Sequence, residues 1–390
     1  MATSSPAVAP QATQIFRLGA LYYLINFLGA GAYMPYLYVY LAELGITGQQ
    51  IGWLSVLGPV MMLGLATPIA ALADRRRWRV AILQIALAGQ AATLFLLGQA
   101  RTFGWIALLM LLMAIAGSPL MSVSDSLIAR AARRHNLNFG SMRLWGSLGY
   151  AASALAFGGL WQWFGFQPMF IVAPLFVLPV IWLGGQFEEL PASAPSERQP
   201  AADLLRDPGL VSLLVATFLA SISNSLAMTF GGIYARALGG GDLLIGMMIA
   251  CAATAEILTM FLGERLMRRL RGVPAMILAY GLMAGAYLGW VLVPDPNAVV
   301  FFSIFKGLGY GLWFTVTVRL VTERTPEARA ATAQSLLAVS MFGLAPLVAG
   351  PVGGWIHDAF NAGAVFSLGI LALGLGAAGL LLASRRGELA

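Results

Sequence analysis

Four ionisable residues stand inside long apolar runs of this sequence: Asp125, Arg143, Glu256 and Lys306. Each costs about 2.5–3.5 kcal/mol to insert at the centre of a hydrocarbon layer. That cost is met where the side chain faces water, an opposite charge or a cargo. Two are acids and two are bases, so the set is balanced. A carboxylate held away from bulk water can take up and release a proton, which suits Asp125 and Glu256 to coupling. Arg143 offers a planar two-pronged donor and Lys306 a point charge. Interhelical ion pairs are the plainer use, yet apolar packing would hold the helices without the insertion cost.

Helical spacing gives these charges polar neighbours. Lys306, Tyr310, Trp313 and Thr317 share a face, as do Arg143, Ser147 and Tyr150, and Ser118, Ser122 and Asp125. Tyr22, Asn26, Gly29, Tyr33, Tyr36 and Tyr40 form another stripe, which Pro35 should kink, and Thr217, Ser221 and Asn224 a further one. Tyr36 and Tyr40 serve equally as interface anchors. Lone Ser and Thr hydroxyls commonly bond back to their own helix. From these faces the expected substrate-binding set is Tyr22, Asn26, Arg143, Ser147, Asn224, Lys306, Tyr310 and Trp313. The expected proton-coupling set is Asp125, Glu256 and Lys306.

Membrane helices are expected to carry these residues. The 390 residues are 59% apolar and only 10% charged, with mean hydropathy +0.81. Soluble proteins carry about 25% charged residues, so a soluble enzyme is excluded. Runs of about twenty apolar residues also disfavour a β-barrel. Apolar spans fall at 16–42, 51–73, 80–99, 105–130, 140–163, 167–185, 209–236, 243–263, 274–293, 298–321, 331–355 and 363–383. Residues 1–15 are expected to be a disordered tail, without the basic start of a signal peptide. The polar stretch Gln186–Pro208 is expected to be a linker between six-helix bundles at 16–185 and 209–390.

Basic residues fix the expected orientation. With both termini cytoplasmic, eighteen of the 23 Lys and Arg fall in cytoplasmic segments. Only Arg101 and Arg236 fall on the opposite face, and Arg143, Lys306 and Arg319 within spans. That asymmetry follows the positive-inside rule, so the basic pI of 9.8 reflects topology rather than nucleic-acid binding. The Arg-, Ala- and Gly-rich composition suggests a GC-rich bacterial genome, and the expected location is the bacterial cytoplasmic (inner) membrane.

The halves repeat. Tyr40, Leu44, Gly45, Ile51 and Gly52 match Tyr234, Leu238, Gly239, Ile245 and Gly246 at one offset of 194. One cysteine, Cys251, and two distant histidines, His135 and His357, leave no metal cluster to expect. The Walker-type phosphate-loop pattern is absent, so an ion or solute gradient is the expected energy source.

Asn138–Tyr150 (NFGSMRLWGSLGY) resembles the fifth-helix signature of the phenylpropionate permease, nucleoside:proton symporter and lactose permease cluster of the major facilitator superfamily. Met34–Leu37 with Leu44–Ile46 and Ile51–Gly52 resembles the start of that group, and Ala71–Arg76 the superfamily loop carrying Asp74 and Arg75. That loop is shortened here and lacks the glycine after the aspartate. Ala255–Glu256 followed by Arg265–Arg269 resembles the matching region of the phenylpropionate branch.

The resemblance implies an all-α membrane protein of twelve helices in two six-helix pseudo-repeats, the major facilitator fold, with the substrate handled near the midplane. It makes Arg143 a substrate-site arginine, Asp125 its opposing acid and Glu256 a substrate or proton acid. Lys306 departs from the histidine or acid of those branches, so a Glu256–Lys306 pair is expected instead. The implied function is proton-coupled import of a small organic solute, first an aromatic carboxylate such as a phenylpropionate-like acid, next a nucleoside or sugar. Drug or metabolite efflux, and a non-transporting receptor, are the alternatives. The expected partners are the solute, protons and the lipid bilayer, without nucleic acid. A monomer is expected, with no cofactor, no metal and no enzymatic activity.

Overall fold

A computed structural model describes residues 10–189, 201–270 and 272–389. Residues 190–200, the middle of the expected linker, lie outside the described residues, as do residues 1–9 and, among the counted arginines, Arg198 and Arg271. Every regular element among the described residues is helical. Among the described residues ten helical stretches are long and apolar enough to cross a membrane; Met169–Gly184 is shorter, and Phe139–Phe164 is long but more polar. The chain is a multi-pass membrane protein with twelve helical passes.

In chain order the helices are α1 (Pro10–Glu43), α2 (Gly48–Met61), α3 (Thr67–Arg76), α4 (Arg79–Leu97), α5 (Phe103–Gly117), α6 (Leu120–Arg134), α7 (Phe139–Phe164) and α8 (Met169–Gly184). After α9 (Ala201–Leu204) come α10 (Pro208–Ala237), α11 (Asp242–Arg269), α12 (Gly272–Leu292), α13 (Pro296–Arg324), α14 (Ala330–Ala338), α15 (Ala345–Ala359) and α16 (Ala364–Arg385). Three passes are interrupted. A π-helical turn at Met62–Ala66 joins α2 to α3, and another at Val339–Leu344 joins α14 to α15. Pro119 separates α5 from α6 inside the expected span 105–130, because proline removes one ladder hydrogen bond. Helix α1 begins at Pro10, so residues 10–15, expected in the tail, are helical.

Local chemistry sets the helix starts. Thr47 caps α2 in a reciprocal box with Gln50. Asp207 accepts from Gly209, and Asp295 from Asn297 and Ala298, each just before a proline at the first helical position.

The sequence repeat is a structural repeat. Gly45 and Gly239 both close their helices in the left-handed region, at φ 82° and 88°. Gly45 N–H donates to Ala42 and Ile46 N–H to Leu41; at the same offset Gly239 N–H donates to Arg236 and Gly240 N–H to Ala235. A Cβ on Gly52 would lie 2.2 Å from Gly350 O, and one on Gly246 2.4 Å from Ala154 O. The matched residues therefore serve the same helix ends and the same kind of close crossing, α2 on α15 and α11 on α7.

The contacts divide the chain into two compact units. One holds residues up to 33, 64–153 and 167–193; the other holds 34–63, 154–166 and 194–390. The units thus cut across the sequence halves 16–185 and 209–390. The first unit is centred on Tyr22, Leu83, Leu127, Met142 and Phe187. The second has an aromatic centre of Tyr234, Tyr287, Trp290 and Phe366, with ring centroids 4.9–6.0 Å apart. Within it Tyr36 O–H donates to Ala154 O, and Arg236 pairs with Asp242 and, at 3.1 Å, with Glu43. Tyr36 and Tyr40 are buried there rather than exposed as interface anchors.

Candidate functional site

In the first unit, α6 brings Asp125 and α7 brings Arg143 together. Arg143 Nη1 lies 3.3 Å from Asp125 Oδ2. The other carboxylate oxygen, Oδ1, accepts from Tyr23 O–H at 2.6 Å, so one carboxylate ties α1, α6 and α7. Arg143 is 50% exposed and Asp125 27%, which puts the pair at the unit's surface and leaves guanidinium N–H groups to offer. Ser147, one turn beyond Arg143, is exposed. Asn26 is half-buried and makes no hydrogen bond among the described residues.

Tyr22, expected on the same stripe, is 1% exposed in the apolar core. Its ring packs edge-on against Tyr23 and Phe187, with centroids 5.7 and 6.0 Å away. Its successor Tyr23 contacts Asp125 instead. Sequence spacing missed Tyr23, because the stripe follows one helix and the bond crosses to another.

In the second unit, α11 carries Glu256 and α13 carries Lys306. These helices meet through glycine. A Cβ on Gly307 would lie 2.1 Å from Ala252 O, and one on Gly311 2.7 Å from Glu256 O. Ala252 is thus level with Gly307, and Glu256 with Gly311. Lys306 stands five residues from Gly311, about 7.5 Å along the axis at 1.5 Å per residue. Among the described residues the two charges form no ion pair within 4 Å. Lys306 Nζ reaches Met228 Sδ at 3.9 Å instead. The expected Glu256–Lys306 contact is replaced by two neighbouring charges, because the glycine register offsets them.

Asn224 lies one turn before Met228 on α10, and its buried Oδ1 has no partner among the described residues. Lys306 and Tyr310 are half-buried, whereas Trp313 and Thr317 turn fully inward. Helix α13 packs on both α11 and α12, which consumes the far end of the expected stripe. Trp313 stands edge-on to Tyr310, with centroids 5.4 Å apart. The hydroxyls of Ser118, Ser122, Ser221 and Thr259 bond back to their own helices.

At the loop after α3, Asp74 accepts from Arg79 Nε at 2.5 Å and pairs with Arg130 at 3.4 Å. Arg79, only 1% exposed, also lies 3.8 Å from Glu189, which caps the Val80 N–H at 2.7 Å. Arg75, the other residue of the loop motif, is exposed. Arg77 closes α3 at φ 56°, a place usually given to glycine. Among the described residues no group of three His, Cys, Asp or Glu could hold a metal ion.

Comparison with known proteins agrees with this architecture. Maltose permease of Geobacillus stearothermophilus is 29% identical over 369 residues, covering 94% of each chain. The uncharacterized transporter YwbF of Bacillus subtilis (strain 168) is 23% identical over 356 residues, covering 90% of this chain and 89% of that one. The crystal structure of the nucleoside transporter NupG superposes with a TM-score of 0.81 at 14% identity, over 96% of this chain and 98% of that one, a likeness of fold. The MFS_1 like family model matches residues 16–368. With that match spanning nearly all the helices that carry the charged faces, the chain belongs to the MFS_1 like family and is a major facilitator transporter of a small solute, not an enzyme.

Proposed function

We propose that the protein is a proton-coupled symporter of a neutral, hydroxyl-rich solute of the sugar class. The observation that carries this reading is the 3.3 Å pairing of Arg143 with Asp125. A guanidinium already facing a carboxylate is a poor site for a second, free carboxylate. The pair still offers N–H donors and carboxylate acceptors, which suit hydroxyl groups. Asn26 and Ser147, in the same unit, add uncommitted polar atoms. The maltose permease at 29% identity supports the same class. Glu256 carries the coupling proton, with Lys306 as the neighbouring cation that responds to it. The protein works as a monomer in a bacterial inner membrane with both termini cytoplasmic, the side to which the arginine asymmetry points.

An aromatic carboxylate is the second reading. It is favoured by Lys306, whose ammonium has no acid within 4 Å among the described residues.

Uptake into proteoliposomes under an imposed inward proton gradient tests both. Gradient-driven accumulation of a labelled disaccharide, competed by sugars and not by phenylpropionate, is the expected result. Accumulation of phenylpropionate alone would overturn the sugar reading in favour of the second. Uptake indifferent to the proton gradient would overturn the coupling.

A further inference from the structure

A groove of about 570 Å³ opens on the first unit where α1 starts and where α6 and α8 end. Its upper wall holds Arg17, Arg134, His135 and Gln186. Its lower wall holds Leu21 and Trp182, which are 45% and 65% exposed. One carboxylate lines it: Glu188, which engages Arg134 at 2.7 Å. Arg17 has no ion-pair partner among the described residues. A second groove, of about 470 Å³ on the other unit, has no charged side chain in its lining.

The groove is graded from cationic to apolar along the helix axes, over less than two helical turns. Three ends of apolar helices meet here, and such ends lie where a membrane helix leaves the hydrocarbon. An exposed tryptophan at a helix end is the side chain that sits at a headgroup boundary. Basic pockets between helices at such a level take anionic headgroups, while apolar flanks take acyl chains. We propose that this groove is the tightest binding site on the protein for an anionic phospholipid, its phosphate held by Arg17 and His135 and its chains lying on Leu21 and Trp182. The ion pair with Glu188 keeps Arg134 partly neutralised. It therefore limits the affinity.

Native mass spectrometry of the full chain, titrated with phosphatidylglycerol or phosphatidylcholine, reads the first lipid retained. Phosphatidylglycerol should be retained well above phosphatidylcholine. R17Q/H135Q should weaken the first phosphatidylglycerol by about five-fold or more, the worth of one interfacial cation. E188Q should strengthen it by about five-fold. A folding defect cannot strengthen binding, so this second variant keeps the outcome readable. Equal retention of the two lipids, an unchanged R17Q/H135Q or a weakened E188Q would overturn the site. Displacement of the lipid by millimolar inorganic phosphate would assign the groove to a free anion instead.

Discussion

Tyr23 and Asp125 lie 102 positions apart in the chain and share a 2.6 Å hydrogen bond, with Arg143 facing the other side of the same carboxylate. Hydrogen bonds to a charged group contribute about 1.5–3 kcal/mol, and half-exposed ion pairs less. Tyr23→Phe should therefore lower unfolding stability by about 1.5 kcal/mol. In a double-mutant cycle with Asp125→Asn the two changes should couple by about 1 kcal/mol. Thermal unfolding in detergent measures both, and strict additivity would show that the bond contributes nothing.

Glu256→Gln should abolish solute-driven proton uptake while leaving solute exchange across the membrane. The amide keeps the shape and hydrogen-bonding atoms but cannot ionise. A pH-sensitive dye inside proteoliposomes reports the first and counterflow of labelled solute the second. Unchanged proton uptake would remove Glu256 from the coupling role.

Arg143→Lys should reduce transport by about ten-fold or more. A lysine ammonium can still face Asp125 but loses the planar fork that presents parallel donors to a cargo. Initial uptake rates decide it. A lysine variant as active as the parent would exclude recognition through that fork.

Gly311→Ala should cost about 1–3 kcal/mol, because the added methyl would meet Thr259 Oγ1 at 2.2 Å and Glu256 O at 2.7 Å. Gly281→Ala is the control: nothing lies within 4 Å of its Cβ, and alanine favours a helix by about 1 kcal/mol over glycine. Opposite shifts in melting temperature are expected. If Gly311→Ala melts like the parent, α11 and α13 do not cross at the register that the glycines define.

Asp358 caps α2 from α15, its two oxygens accepting from the N–H groups of Gly48 and Gln49 at 2.8 Å each. Asp358→Ala should cost about 1–2 kcal/mol locally. Hydrogen exchange at the start of α2 should accelerate by about ten-fold, the equivalent of about 1.4 kcal/mol. Unchanged exchange at Gly48 and Gln49 would mean that water caps the helix equally well.

The class of molecule was legible from the order of amino acids alone. Apolar runs longer than a bilayer is thick, arginines crowded to one set of loops and a 194-residue repeat leave few alternatives to a two-fold bundle of membrane helices. The repeat was legible because Gly45 and Gly239 each need the left-handed turn, and Gly52 and Gly246 each meet a neighbouring backbone. Those are demands of local geometry that fix a residue type.

Which side of each helix meets which neighbour is settled by packing between helices. Periodicity put Tyr22 on the polar face, but packing buried it and gave Asp125 to Tyr23. The family resemblance implied a Glu256–Lys306 pair, but the register of Gly307 and Gly311 sets them about 7.5 Å apart along the axis. The loop motif named Asp74 and Arg75 without a partner for the aspartate, and the turn at Arg77 brings Arg79 to it. A stripe on one helix states what could face inward; contacts between helices distant in the chain decide what does.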